Sequence, residues 1–311
     1  MKTASIKSEK SVSRNLWNTY KYPLFFLTPW ILGLLVFQIY PILSSLYLSF
    51  TNFSLFGSPD WVGLDNYARL MNDGRFLKAI RVTNLFVFVG VPLQLSFALT
   101  LALLLNKGVP GLKFFRAAYY LPALLGGSVA ISILWRQIFG LNGLVNRMLE
   151  SIGVPDAITG ISWVSNPSYA IHTLILLRVW QFGSPMIIFL AGLKQVPMEL
   201  YESAAIDGAG AGRRFLNITL PMLSPIILFN LIMQIISAFQ SFTPALIVAG
   251  NSGLGGSLDS LLLYTIYLYQ IGFQFFRMGI ASAMAWIMLI ALGILTIIII
   301  KVSKSVVYYE D

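Results

Sequence analysis

Glu199, Glu202 and Asp207 place three of the chain's twelve carboxylates within nine residues, inside the polar stretch Pro197–Pro221 (PMELYESAAIDGAGAGRRFLNITLP). Carboxylates at that density can pair with basic side chains, hold a cation or exchange protons. The rest of the chain supplies little to complete a reaction centre, since it has one histidine, His172, and no cysteine. A nucleophile–base pair or a metal set needs more than that, and thiol chemistry is closed to it. Asn251–Gly256 (NSGLGG) has glycines but lacks the lysine and spacing of a phosphate cradle, and no such cradle occurs elsewhere. These counts argue against an intramembrane enzyme. His172, near the outer end of a predicted helix, reads as a packing or interface residue.

The local signals around the carboxylates describe a short helix. Pro197 has the fixed φ suited to a first turn. Glu199 and Glu202 then stand one turn apart near the positive end of the helix dipole. Ser203, Ala204 and Ala205 are small enough to let another backbone approach. Gly208, directly after Asp207, reads as a stop in the left-handed conformation. A second helical start follows at Ala211–Arg214, and Pro221 and Pro225 interrupt regular bonding beyond it. Two uses fit such an element: an amphipathic helix resting on lipid headgroups, or a docking element for another protein.

The elements that carry this loop are apolar. Of 311 residues, 57% are apolar and 11% charged, and mean hydropathy is +0.77. A soluble domain carries about 25% charged residues, so the chain reads as an all-α integral membrane protein. A hydrocarbon core of ~30 Å needs ~20 apolar residues per helix. Six segments qualify: Leu24–Leu48, Val82–Leu105, Phe115–Leu134, Tyr169–Leu193, Ile218–Val248 and Met278–Ile300. The division expected is a cytoplasmic tail over residues 1–23, a transmembrane domain over 24–301 and a second cytoplasmic tail over 302–311. With the N-terminus inside, the inner segments hold 13 Lys and Arg and the outer ones 7. That bias puts both termini and the Pro197–Pro221 loop in the cytoplasm. The net charge of +9 therefore sets topology, and no nucleic acid is implied. The outer stretches 51–80 and 136–168 are expected to be small folded surface elements.

Within the spans, polar and aromatic residues cluster twice. Phe239, Gln240 and Thr243 share a reachable face before Pro244, in a span that also carries Gln234. Trp180, Gln181 and Ser184 precede Pro185, where a helix break is expected. Each group can line a path for a polar solute or serve as interhelical hydrogen-bonding glue. Arg178 is the formal charge deep within the six spans, since Arg116 stands at the very start of the third. A charge there is costly and faces a cavity or a partner, so it lines the path or bonds to loosened backbone near Pro185.

Glu202-Ser203-Ala204, then Gly208, then Ile218-x-Leu220-Pro221 resembles the E-A-A-x(3)-G-x(9)-I-x-L-P signature of permease subunits of binding-protein-dependent ABC importers. Ser203 for Ala is the one departure. Phe37-Gln38-Ile39-Tyr40-Pro41-Ile42 with Ser49-Phe50-Thr51-Asn52, and Val62-Gly63-Leu64-Asp65-Asn66-Tyr67, are similar to the first permease of the oligosaccharide and glycerol-phosphate pair. The resemblance covers the chain from about Tyr20 onward. It implies the type I importer fold, with six helices and a cytoplasmic coupling helix. It also implies a second homologous permease, a cytoplasmic ATPase dimer and an extracellular or periplasmic solute-binding protein. ATP and Mg belong to the ATPase, and this chain carries no cofactor. By the same resemblance the ATPase-coupling residues are Glu199, Glu202, Ser203, Ala204, Ala205, Asp207, Gly208, Ile218, Leu220 and Pro221. Phe239 stands where the maltose permease has Phe, and Gln240 and Thr243 where it has Asn, which implies sugar contact. The membrane implied is a bacterial-type inner or plasma membrane. The rival class, an ion-coupled secondary transporter, needs intramembrane carboxylates or ion-binding broken helices, and every Asp and Glu here falls in a predicted loop or tail. The substrate expected is an oligosaccharide, with glycerol-phosphate and polyols as alternatives.

Overall fold

The computed structural model describes residues 21–304, except 24, 55–56, 109–110 and 251–253. Most of the two expected tails, the start of the Asn251–Gly256 loop and the basic residues Lys2, Lys7, Lys10 and Arg14 lie outside the described residues. The described chain is helical, and its β content is one isolated bridge, Thr51 to Trp61. Among the described residues four helices are long and apolar enough to cross a membrane, and two bent pairs, each counted as one span, raise the number to six. This matches the six expected segments, with corrections to their shapes.

The first span, α1 (Phe25–Ser49), contains a π turn at Leu35–Ile39. The Tyr40 N–H reaches five residues back to the Leu35 carbonyl, and Pro41 follows immediately. A proline ring collides with the carbonyl four residues back in a regular helix; one extra residue in the preceding turn widens the ladder and relieves it. The same device recurs ahead of Pro221, described below. No residue in the most apolar stretch of α1 is buried.

The stretch 51–80 carries a small helix, α2 (Asp65–Met71). Its buried Asn66 donates to the Ser49 carbonyl at 2.9 Å and the Thr51 carbonyl at 2.7 Å, and Tyr67 Oη donates to Ser49 Oγ at 2.8 Å. These bonds close the C-terminal end of α1, whose last carbonyls have no partner within the helix. The second span, α3 (Gly74–Asn106), runs 33 residues, longer than the expected Val82–Leu105. Asp73 caps it, accepting from the N–H groups of Arg75 and Phe76. At 1.5 Å per residue it exceeds a ~30 Å core, so its charged first turns, with Arg75, Lys78 and Arg81, extend beyond the lipid.

The third span is two helices, α4 (Leu112–Leu125) and α5 (Val129–Ile138), bent by 95°. The expected continuous helix Phe115–Leu134 is thus corrected. Gly126 and Gly127 weaken the helix after Pro122, and Ser128 caps a new one by accepting from the Ile131 N–H at 3.3 Å. The stretch 136–168 holds α6 (Leu144–Ser151) and α7 (Asp156–Thr159). The fourth span is α8 (Ala170–Trp180) and α9 (Gly183–Leu193), bent by 41°. The break falls at Gln181–Phe182, not at Pro185. Pro185 sits in the first turn of α9, where a missing N–H costs nothing. Gly183 is required at the bend, because a Cβ there would lie 2.4 Å from the Tyr119 carbonyl oxygen.

After α10 (Met198–Ile206), the fifth span α11 runs Ala211–Phe239, and a separate helix α12 (Thr243–Ala249) follows a break at Gln240–Phe242. The expected segment Ile218–Val248 therefore starts earlier and ends in two pieces. A helix not anticipated from the sequence, α13 (Tyr264–Tyr269), continues into a π turn at Gln270–Gln274. The sixth span is α14 (Met278–Ser303). In the bundle, α3 packs against α8, α9 and α11, α1 lies on α14, and α5 meets α12. Phe86, Leu174, Leu177, Met186, Phe189 and Leu223 form its fully buried centre.

Candidate functional site

The carboxylate loop is built from its ends inward. Pro197 is the cap residue itself, one position before the first turn expected for it, and α10 begins at Met198. The helix closes with paired bonds: the Gly208 N–H to the Ala205 carbonyl at 3.1 Å and the Ala209 N–H to the Ala204 carbonyl at 2.9 Å. This is the Schellman arrangement, and it needs a left-handed residue at Gly208, whose φ is +75°. A Cβ on Gly208 would meet nothing within 4 Å, so the demand there is conformational, not one of space. Ser203 Oγ donates to the Glu199 carbonyl at 2.9 Å.

Glu199, Glu202, Ser203, Ala205, Asp207 and Gly208 are all exposed, and Ala204 is half-buried. Met198 and Ile206 stand out beside them, Ile206 at 88% exposure. The helix thus offers a mixed acidic and apolar surface clear of the bundle. Ile218, Leu220 and Pro221 do not share that surface. They are half-buried and lie in or just after the π turn Phe215–Thr219, where the Leu220 N–H bonds the Phe215 carbonyl. Their part is to build the entry of α11. Across this junction Tyr201 Oη meets the buried Thr219 Oγ1 at 2.9 Å.

The polar residues of the spans gather at helix breaks. Trp180, Gln181 and Ser184 flank the break between α8 and α9. Gln181 donates to the Gly126 carbonyl at 3.1 Å, and its own carbonyl accepts from Gln94 Nε2 at 3.0 Å. The bend of the third span and that of the fourth therefore face each other, and a Cβ on Gly126 would lie 2.2 Å from Gln181 Cγ. Trp180 packs on Trp135 with centroids 6.1 Å apart, and Ser184 is exposed. Phe239, Gln240 and Thr243 flank the break between α11 and α12. Gln240 is exposed, Thr243 is half-buried, and Phe239 lines a cavity of about 240 Å³ with Thr83, Asn84 and Tyr264.

Arg178 links the fourth and fifth spans. Its Nη2 donates to the Gln234 carbonyl at 2.7 Å and to Gln234 Oε1 at 3.0 Å, while its guanidinium carbon lies 5.7 Å from the centre of the Phe86 ring. It does not bond the backbone near Pro185, which corrects one of the two uses expected of it. His172 is exposed on α8 and lines an apolar pocket with Phe139, Trp163 and Tyr169. Gln94 and Tyr201 were not singled out from sequence. A lone glutamine in an apolar span and a tyrosine one turn before an alanine pair were the available signals. No cluster of three metal-ligating side chains occurs among the described residues.

Comparison with known proteins gives a consistent result. The family described as binding-protein-dependent transport system inner membrane component matches residues 67–307. The Probable ABC transporter permease protein YesP of Bacillus subtilis is 49% identical over 287 residues, which is 92% of this chain and 91% of the relative. The arabinooligosaccharides transport system permease protein AraP of the same organism is 35% identical, over 91% of this chain and 88% of the relative. The trehalose/maltose transport system permease protein MalF of Thermococcus litoralis is 30% identical, over 89% and 91% respectively. Among solved structures, a chain of a bacterial ABC transporter involved in the import of the acidic polysaccharide alginate superposes with a TM-score of 0.80. It covers 94% of this chain and 100% of that chain at 23% identity, a likeness of fold.

Proposed function

The chain belongs to the family of binding-protein-dependent transport system inner membrane components, and from that premise we propose that it is one of two permease subunits of an ATP-driven oligosaccharide importer. It is a multi-pass membrane protein with the fold of an ABC importer permease, a transport subunit and not an enzyme. In the proposed assembly a second homologous permease completes the path, and a cytoplasmic ATPase dimer holds ATP and Mg. An extracellular or periplasmic binding protein delivers the sugar. Both termini and the α10 loop lie on the cytoplasmic side of an inner or plasma membrane.

The observation that carries this reading is α10 itself. It is a short helix with a fixed glycine stop, standing exposed between two spans, with Glu199, Glu202 and Asp207 on its surface. Such an element suits a rigid contact that biases a two-state equilibrium better than a small-ligand site. Glu202 is the charge partner proposed for a basic ATPase residue. Phe239, Gln240, Thr243, Trp180, Gln181 and Ser184, at the breaks of the fourth and fifth spans, form the proposed sugar-contacting walls. Names of relatives such as AraP and MalF favour an oligosaccharide. The scarcity of basic side chains along the spans disfavours glycerol-phosphate, and a polyol is the remaining competitor.

The test is Glu202→Lys in the reconstituted complex. The variant is expected to insert and assemble normally and to lose sugar-stimulated ATP hydrolysis and uptake by about tenfold or more, as expected for a like-charge contact worth ~1.4 kcal/mol or more. Normal sugar-stimulated hydrolysis in that variant would refute the coupling role.

A further inference from the structure

We propose that Tyr201 is a positioning residue that turns α10 from a loosely hinged appendage into a rigid lever, through its hydrogen bond to Thr219. This rests on the coupling reading above and adds the route by which a displacement of α10 reaches the membrane helices.

The backbone alone is a poor route. After α10 the chain passes Gly208 and Gly210 before α11 begins at Ala211, and a Cβ at either would meet nothing within 4 Å. Gly210 has no side chain to pack against a neighbour, and glycine is the residue of greatest backbone freedom. Nothing in α10 is buried, and only Tyr201 and Ala204 are half-buried. Gly208 is held by the Schellman bonds, which leaves Gly210 as the point where a push on the helix would be absorbed on its way to α11 unless a second connection existed.

The Tyr201–Thr219 bond is that connection. Among the described residues it is the one side-chain hydrogen bond between α10 and a span. Thr219 is a firm anchor. Its side chain is buried, which strengthens the bond electrostatically, and its branched Cβ restricts χ1. It ends the π turn, one position before Leu220-Pro221. One turn further, Leu223 and Ile226 pack on Gly192 of α9, so tightly that a Cβ on Gly192 would lie 2.1 Å from Ile226 Cδ1. Since α9 leads directly into α10, the chain closes a triangle: α9 to α10 by the backbone, α10 to α11 by the tyrosine, α11 back to α9 by close packing. A triangle transmits displacement; the same chain without the tyrosine bond is an open hinge.

The experiment uses the complex of this chain with its second permease, ATPase and binding protein in proteoliposomes. It compares wild type, Tyr201→Phe, Thr219→Val, Thr219→Ser, the Phe/Val double variant and Glu202→Lys. The readouts are sugar taken up per ATP hydrolysed and amide deuterium exchange across 198–206. Tyr201→Phe and Thr219→Val are each expected to lower the uptake ratio by about 2- to 12-fold, the range one hydrogen bond of ordinary net strength supplies, and to speed exchange across 198–206. The double variant is expected to be no worse than either single, and Thr219→Ser, which keeps the hydroxyl, to behave as wild type. A lower amount of complex with an unchanged ratio would reveal a merely structural role and overturn the inference. So would single effects that multiply in the double variant. If the singles behave as wild type while Glu202→Lys uncouples, the lever fails and the coupling reading stands. Absence of ATP-driven uptake in wild type overturns both.

Discussion

Arg178 and Gln234 allow a sharp prediction because two large terms of opposite sign meet there. A cation inside a span costs about 2.5–3.5 kcal/mol on the insertion scale. Against it stand two hydrogen bonds from Nη2, to the Gln234 carbonyl and to Oε1, each worth about 1.5–3 kcal/mol because the donor is charged. Nε of Arg178 is buried without a partner, so no third bond adds to the favourable side. Replacing the pair's two members is then asymmetric. Arg178→Met removes the desolvation cost together with the bonds, and the net change is expected within about 2 kcal/mol of zero. Gln234→Leu keeps the cation and deletes one of its two acceptors, at a cost of about 1.5–3 kcal/mol. The double variant is expected to recover most of the loss of the glutamine variant. Thermal unfolding of the purified chain in detergent, followed by tryptophan fluorescence, gives the four corners of the cycle. If Arg178→Met is clearly the less stable single variant, or if the double variant loses the sum of both, the balance drawn here is wrong. The same cycle measured as uptake separates stability from transport, since the bond joins the fourth and fifth spans just ahead of their breaks.

Two further outcomes are expected. Gly279→Ala places a Cβ 2.1 Å from the Thr51 carbonyl oxygen. Its gain in helix propensity of about 1 kcal/mol is outweighed by overpacking of about 1–3 kcal/mol against an unyielding backbone atom. A melting temperature equal to or above wild type would show that the loop after α1 yields. Phe239→Ala is expected to raise the half-saturating sugar concentration about tenfold, equivalent to about 1.4 kcal/mol of lost contact, with the amount of assembled complex unchanged. Identical uptake kinetics across candidate sugars would remove Phe239 from the path.

The spans and α10 were legible in the sequence for local reasons. An apolar run announces a span wherever it lies, and Pro197, the two glutamates and Gly208 mark the bounds of α10 within one short window. The bends were less legible, because hydropathy averages over about twenty residues and is blind to direction. Gly126-Gly127-Ser128 breaks the third span by backbone freedom and capping, and three residues are too few to interrupt an apolar run averaged over that length. Pro185 drew the expected break three residues too late, since what fixes the bend is Gly183 pressed against the Tyr119 carbonyl, a neighbour distant in sequence. The same holds for the partners of Arg178 and Gln181. Each bond joins elements more than fifty residues apart, and nothing in the local pattern of either residue names the other. Helix α13 escaped notice because Tyr264–Tyr269 is too short and aromatic to stand out from the apolar segments around it.

The seat of Gly279 has a consequence for how the protein is made. The carbonyls that form it, of Thr51 and Phe53, sit just past the C-terminal end of α1, and Gly279 both packs on the first and donates its N–H to the second at 2.9 Å. On the order of two hundred residues of chain separate the two halves of this contact, so at about 5–20 residues per second the seat waits about 10–40 s for its occupant. Asn66, Tyr67 and the Thr51–Trp61 bridge are close enough in sequence to shape it during that interval. The socket is therefore made early from neighbours, and α14, synthesised much later, arrives as its plug.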